Sequence, residues 1–131
     1  MARIITFGTY DVLHIGHVKL LKRAKELGSH LIVGVSSDEL NINKKGRAPI
    51  YSLQSRREII ASLRFVDEVF VEESLELKAE YIVNNKADIL VMGDDWQGQF
   101  DHLKKHCDVV YLPRTPSIST TEVIEIIKEI T

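Results

Sequence analysis

Apolar residues fall along the chain in two rhythms. Short, near-continuous apolar runs occupy Ile4–Phe7, Leu31–Val35, Glu68–Val71, Ile89–Met92 and Val109–Leu112, and their length predicts strands. Longer stretches with apolar residues at helical spacing lie at His17–Leu27, Gln54–Leu63, Leu75–Asn84, Phe100–Lys105 and Thr120–Ile130. Strands that are apolar throughout, rather than on alternate residues, predict a parallel sheet buried on both faces. Strands alternating with helices predict an α/β, Rossmann-like, doubly wound five-stranded sheet with right-handed crossovers.

End signals refine these elements. Gly28 stands where the first helix should stop. Ser74 is a predicted N-cap, and Ser119 with Glu122 predicts a capping box. Val123, Ile126, Ile127 and Ile130 form one stripe, which predicts that the last helix packs on the sheet. Between Asn41 and Leu53 neither rhythm holds. That stretch reads as a long loop carrying Lys44, Lys45 and Arg47, either a plain solvated basic loop or a clamp for an anion.

Composition narrows the class. With 131 residues the chain fits a single domain over its whole length. A hydrophobic share of 44% is that of an ordinary globular protein, and a net charge of −2 gives no basic field for nucleic acid. No apolar run has the length of a bilayer span, so no membrane insertion is expected. Cys107 is the only cysteine, which excludes an internal disulfide. Met1–Ile5 leads straight into a strand without a signal peptide pattern, and the expected location is cytoplasmic.

Candidate chemistry gathers where strands end. Gly8-Thr9-Tyr10-Asp11 and His14-Ile15-Gly16-His17 join the first strand to the first helix. Gly93-Asp94-Asp95-Trp96 follows the fourth strand, and Arg114 precedes Ser119-Thr120-Thr121 at the head of the last helix. In a parallel sheet these ends share one edge, and helix N-termini there favour anions. Lys44 and Arg56 are expected to close over the crevice. Imidazoles, hydroxyls, helix amides and cations without a nucleophile elbow, zinc spacing or GxGxxG predict a polyphosphate site.

These residues resemble a known family. His14-Ile15-Gly16-His17 is an HxGH signature, and Ile118-Ser119-Thr120-Thr121 is similar to that family's ISTT segment. Arg64-Phe65-Val66-Asp67-Glu68-Val69 resembles the RYVDEV segment of the cytidylyltransferase branch. The chain is thereby identified as a member of the HxGH nucleotidyltransferase superfamily, in its cytidylyltransferase branch. Val91–Trp96 and Tyr111–Thr115 resemble segments of the members that act on glycerol phosphate.

The resemblance implies transfer of CMP from CTP to a small phosphorylated alcohol, with glycerol 3-phosphate first. The products would be CDP-glycerol, for a cell-wall teichoic acid or capsule polymer, and pyrophosphate. Phosphocholine, phosphoethanolamine or an ATP-using adenylyl transfer are the alternatives. It implies that His14, His17 and Lys44 are catalytic. It assigns the nucleotide to Gly8, Thr9, Gly16, Arg64, Gly93, Asp94, Arg114, Ser119, Thr120 and Thr121. Lys44, Arg47 and Arg56 are assigned to the acceptor phosphate. Mg²⁺ is expected on the CTP phosphates with no protein ligand of its own, and a homodimer is expected through Arg64–Val69. Two departures bear on the acceptor. Leu75 stands where the glycerol-phosphate members carry tryptophan, and Lys45-Gly46-Arg47 replaces a second lysine.

Overall fold

A computed structural model of the chain describes residues 2–115 and 118–131; Met1, and Pro116 and Ser117 in the segment leading to the last helix, lie outside it. Five parallel strands form one sheet: β1 (Arg3–Gly8), β2 (His30–Ser36), β3 (Glu68–Glu72), β4 (Ile89–Gly93) and β5 (Asp108–Leu112). Their order is β3-β2-β1-β4-β5. The chain therefore winds outward from β1 to β3, then crosses back to build β4 on the other side of β1. The order reverses between β1 and β4, which is where a doubly wound sheet opens a crevice at its strand C-termini.

Successive side chains of β1 enter opposite cores. Ile5 and Phe7 pack with Ile32, Ile82, Leu90 and Leu103 on one face, while Ile4 packs with Leu21, Leu31, Ile60 and Val91 on the other. Leu21, Ile60 and Ile82 are supplied by the helices α1 (Ile15–Glu26), α3 (Leu53–Ala61) and α4 (Lys78–Asn84). Layers on both faces are what the near-continuous apolar strands predicted.

Three elements differ from the sequence reading. The stretch expected to be a loop begins with a helix, α2 (Asp38–Lys45), capped by the Ser37 hydroxyl and ended by Gly46 at φ 76°. The helix is short and almost wholly polar, so it has no apolar rhythm to reveal it. The expected Leu75–Asn84 helix starts as a 3₁₀ turn, Leu75–Leu77, before α4, and Phe100–Lys105 is a 3₁₀ turn over Asp101–Lys105.

The last helix, α5 (Thr120–Ile130), forms with Ser119 as N-cap, its hydroxyl accepting from the Glu122 amide. It does not lie down on the sheet as its stripe predicted. Ile126, Ile127 and Ile130 are 57%, 47% and 78% exposed. An amphipathic stripe states that a helix has an apolar face; it does not state that the same chain covers it.

Candidate active site

The turn after β1 is held in an unusual shape. Tyr10 and Val12 have φ of 54° and 48°, a left-handed conformation that costs energy for non-glycine residues and most for a β-branched one. The neighbours over-determine it. The Asp11 carboxylate accepts from the amides of Ile50 and Tyr51 at 2.7 and 2.9 Å. The Asp11 carbonyl accepts from the Thr120 hydroxyl at 2.9 Å. Asp11 thus ties the segment after α2 and the head of α5 to the same turn. The Tyr10 ring folds over Gly8, where a Cβ would meet it at 2.7 Å.

This turn delivers two histidines to the head of α1. His14 is the N-cap, and its Nδ1 accepts from the Gly16 amide at 3.0 Å. His17 Nδ1 accepts from the His14 amide at 3.1 Å. Each Nδ1 is therefore an acceptor, which leaves the ring proton on Nε2. The rings stack with centroids 3.8 Å apart. Burial and the Arg114 charge push His14 below its usual range. Burial, His14 and Lys45, partly opposed by Asp11, push His17 down to about 4. Both rings are neutral Nε2–H donors near pH 7. A Cβ on Gly16 would meet the His14 ring at 2.8 Å and Ile118 at 3.2 Å, so this glycine makes room for the capping imidazole and for the segment before α5.

The turn lines a cavity of about 450 Å³. Around it the structure brings together Gly8, Thr9, His14, Gly16, His17, Lys44, Gly93, Arg114, Ser119, Thr120 and Thr121. Two helix N-termini, those of α1 and α5, therefore border one recess, and their dipoles favour negative charge there. Lys44 reaches it from the last turn of α2, and partial burial lowers its pKa. Thr9 is held by its hydroxyl, which donates to Asn41 Oδ1 at 2.8 Å. Among the described residues no group of three His, Cys, Asp or Glu side chains could hold a metal ion.

Four predicted residues are placed elsewhere. Arg56 is not at the acceptor end of the crevice but fully buried. Its guanidinium donates to the carbonyls of Tyr51, Thr9 and Ser36 and pairs with Asp38 at 2.6 Å, so it staples β1, β2 and the starts of α2 and α3. Arg47 is exposed on the segment after α2 and does not line the cavity. Arg64 is exposed beyond α3, also off the cavity. Asp94 is exposed, and its neighbour Asp95 lines the wall instead.

Sequence reasoning missed two charged groups in the wall, Glu72 and Lys78, which are 2% and 4% exposed and paired with each other. A signal existed. Glu72 ends a buried strand, and Lys78 stands one helical turn before the buried Ile82, on the face that should be apolar. A second recess, of about 590 Å³, lies along the β3 edge between Leu53, Arg57, Glu58 and Val66–Val69 and holds none of the residues above.

The model of the cytidylyltransferase-like family matches residues 5–126. The chain is similar to glycerol-3-phosphate cytidylyltransferase of Bacillus subtilis (strain 168), 50% identical over 125 residues, 95% of this chain and 96% of that one. It is 36% identical over 136 residues to FAD synthase of Pyrococcus abyssi (strain GE5 / Orsay), covering 98% and 92% of the two chains. Among solved structures, a lipopolysaccharide core biosynthesis protein from Thermoplasma volcanium GSS1 matches with a TM-score of 0.75 at 28% identity, covering 88% of this chain and 98% of that one.

Proposed function

The chain belongs to the cytidylyltransferase-like family, and on that premise we propose that it transfers CMP from CTP to glycerol 3-phosphate, giving CDP-glycerol and pyrophosphate. A phosphate oxygen of the acceptor attacks the α-phosphorus. The bond to the bridging oxygen breaks and pyrophosphate leaves in line. No protein nucleophile takes part, so catalysis consists of positioning and charge stabilisation.

The observation that carries this reading is the stacked pair His14 and His17, with both Nδ1 atoms engaged by backbone and neither Nε2–H hydrogen-bonded among the described residues. Neutral donors fixed before substrate arrives are suited to oxygens whose charge grows in the transition state. Ser119, Thr120, Thr121 and Arg114 border the same cavity and are proposed to take the β- and γ-phosphates at the head of α5. Lys44 would bridge acceptor phosphate and α-phosphate. Gly8, Thr9 and Gly16 would present the β1 edge to the nucleotide, and the Gly93 backbone with Asp95 would face the base. Mg²⁺ would arrive on the triphosphate and neutralise the leaving pyrophosphate.

The reading includes a homodimer through the Arg64–Val69 neighbourhood. β3 is an edge strand, and the recess beside it is lined by Val66–Val69. Sedimentation should give twice the chain mass, and a monomer at all concentrations refutes it. A cytoplasmic location fits the single free cysteine. Among the described residues no helix is long and apolar enough to cross a membrane.

The test is pyrophosphate release from CTP, Mg²⁺ and glycerol 3-phosphate, with ATP run in parallel. Release with CTP and glycerol 3-phosphate is expected. No release with that pair, or turnover faster with ATP, refutes the assignment.

A further inference from the structure

Beyond β4 the cavity wall is an irregular stretch of chain, from which Gly93, Asp95, Trp96 and Phe100 face the cavity. The amides of Gln97, Gln99, Asp101 and Leu103 each bond a carbonyl only three residues back, which shapes the stretch locally without fixing it to the sheet. The Phe100 amide is different. It donates to the hydroxyl of Tyr111, on β5, at 2.9 Å. That hydroxyl donates in turn to Asp101 Oδ1 at 3.0 Å, and Lys104 Nζ lies 3.7 Å from the same oxygen. At the other end, Gly93 pairs with Leu112 in the parallel ladder. Both ends of the segment from 94 to 99 are therefore tied to consecutive residues of β5. Between the ties, Trp96 packs on the Phe100 ring with centroids 5.4 Å apart. Asp95 folds back toward the strand end, where a Cβ on Gly93 would meet its Oδ1 at 2.6 Å.

We propose that Tyr111 is a positioning residue for base selection: its hydroxyl pins Phe100, so that Gly93, Asp95 and Trp96 stand preformed as the wall that meets the cytosine of CTP. The inference rests on the transferase reading above, which puts the base at Gly93 and Asp95, and adds what holds that wall in place. Tyr111 does not line the cavity, so it acts through Phe100 and Trp96 and not by touching the nucleotide. The amino group of cytosine donates and needs an acceptor, which the Asp95 carboxylate supplies. Uracil carries a carbonyl at that place and sets acceptor against acceptor. This difference discriminates only while the carboxylate stays put, because a wall free to move repacks around the wrong base. A wall fixed before the ligand arrives also spares the cost of ordering it on binding.

The experiment measures binding of CTP, UTP and inorganic tripolyphosphate, each with Mg²⁺, to the full chain by calorimetry. The wild type should prefer CTP to UTP. Tyr111→Phe keeps the ring and removes both hydrogen bonds. It should weaken CTP by about threefold to tenfold, the worth of an ordinary hydrogen bond, and lower the CTP-to-UTP preference by a similar factor. Tripolyphosphate carries no base and should bind the variant as it binds the wild type. Asp101→Asn leaves an acceptor for the hydroxyl and should keep the wild-type preference. A folded Tyr111→Phe with wild-type CTP affinity overturns the proposal, and so does one that loses CTP and tripolyphosphate alike, which is the mark of a merely structural role. If Tyr111→Phe fails to fold, hydrogen exchange on the wild type decides. The Gln99 and Phe100 amides should be protected more by CTP than by tripolyphosphate, and equal protection overturns the proposal. Base-selective binding that Tyr111→Phe weakens, in a protein that releases no pyrophosphate from CTP, supports the role of Tyr111 while refuting the transferase reading, so the two failures are distinguishable.

Discussion

His14 and His17 hold each other's geometry: the amide of His14 donates to Nδ1 of His17, and the two rings stack at 3.8 Å. The pair is one device, with both outward nitrogens carrying protons. Removing either ring should remove a preorganised donor, lowering kcat by about a hundredfold to a thousandfold. His14→Ala should also cost about 1 kcal/mol of stability, because it deletes the N-cap of α1. Steady-state kinetics beside urea unfolding separate the two effects. His17→Ala turning over at the wild-type rate would refute the role.

Stability should depend on pH through the same pair. His17 titrates near 4 in the fold against 6.5 in an exposed ring. Between those values the unfolded chain binds the proton and the folded chain does not, so stability rises with pH there. The contribution is fully kept above pH 6.5 and is lost as pH falls toward 4, up to a ceiling of about 3 kcal/mol that solvent screening reduces. His14 acts in the same direction. Urea titrations at pH 7.5 and 5.0 measure the slope, and His17→Asn should flatten it.

Arg56 is predicted to be a structural staple. Its four hydrogen bonds all go to protein groups on converging elements. Arg56→Ala strands a buried set of carbonyls and one carboxylate, and should cost about 3 kcal/mol or more. Added acceptor phosphate should not restore the loss in a thermal melt. A variant of wild-type stability with a raised acceptor KM would instead return Arg56 to the binding role its sequence position suggested.

The contrast between Arg56 and His14 shows what the sequence carries. The two histidines were legible because strand, turn and helix head are local, and local order places their side chains at a strand end. The five strands were legible because buried parallel strands read as apolar runs. Arg56 was not, since its partners Thr9, Ser36 and Asp38 converge only after β1, β2 and α3 have packed. Its guanidinium reads the same whether it faces solvent or backbone carbonyls. Lys78 was hidden in the same way, because its partner Glu72 lies across a turn. α2 was hidden by its polarity, and with it the fact that Lys44 stands on a helix and not on a flexible loop.

Asp11→Ala should loosen the segment between α2 and α3. The carboxylate is the anchor for the Ile50 and Tyr51 amides. Without it, Arg47 lies in a segment with fewer ties, just beyond Lys45 at the end of α2, and local opening exposes backbone to protease. Limited trypsin digestion should cut the variant at these residues several-fold faster than wild type. CTP should slow the cut, because Lys44 beside them lines the proposed nucleotide cavity. Equal cutting rates in variant and wild type would show that the anchor is dispensable.

The exposed stripe of α5 makes the last prediction. Ile127 and Ile130 are exposed in the chain by itself, whereas Leu21 and Ile60 are fully buried. Charged substitutions at exposed positions change stability by about 0.5 kcal/mol or less. Ile127→Asp and Ile130→Asp should therefore leave the unfolding midpoint of dilute protein nearly unchanged, while Leu21→Ala or Ile60→Ala should cost about 2–5 kcal/mol. The head of α5 is a different matter. The Thr120 hydroxyl is its link to Asp11, so Thr120→Val should raise the KM for CTP without a comparable loss of stability. If Ile127→Asp instead destabilised the dilute chain as much as a core truncation, the helix would be packed in solution and the apolar stripe would have predicted its docking correctly.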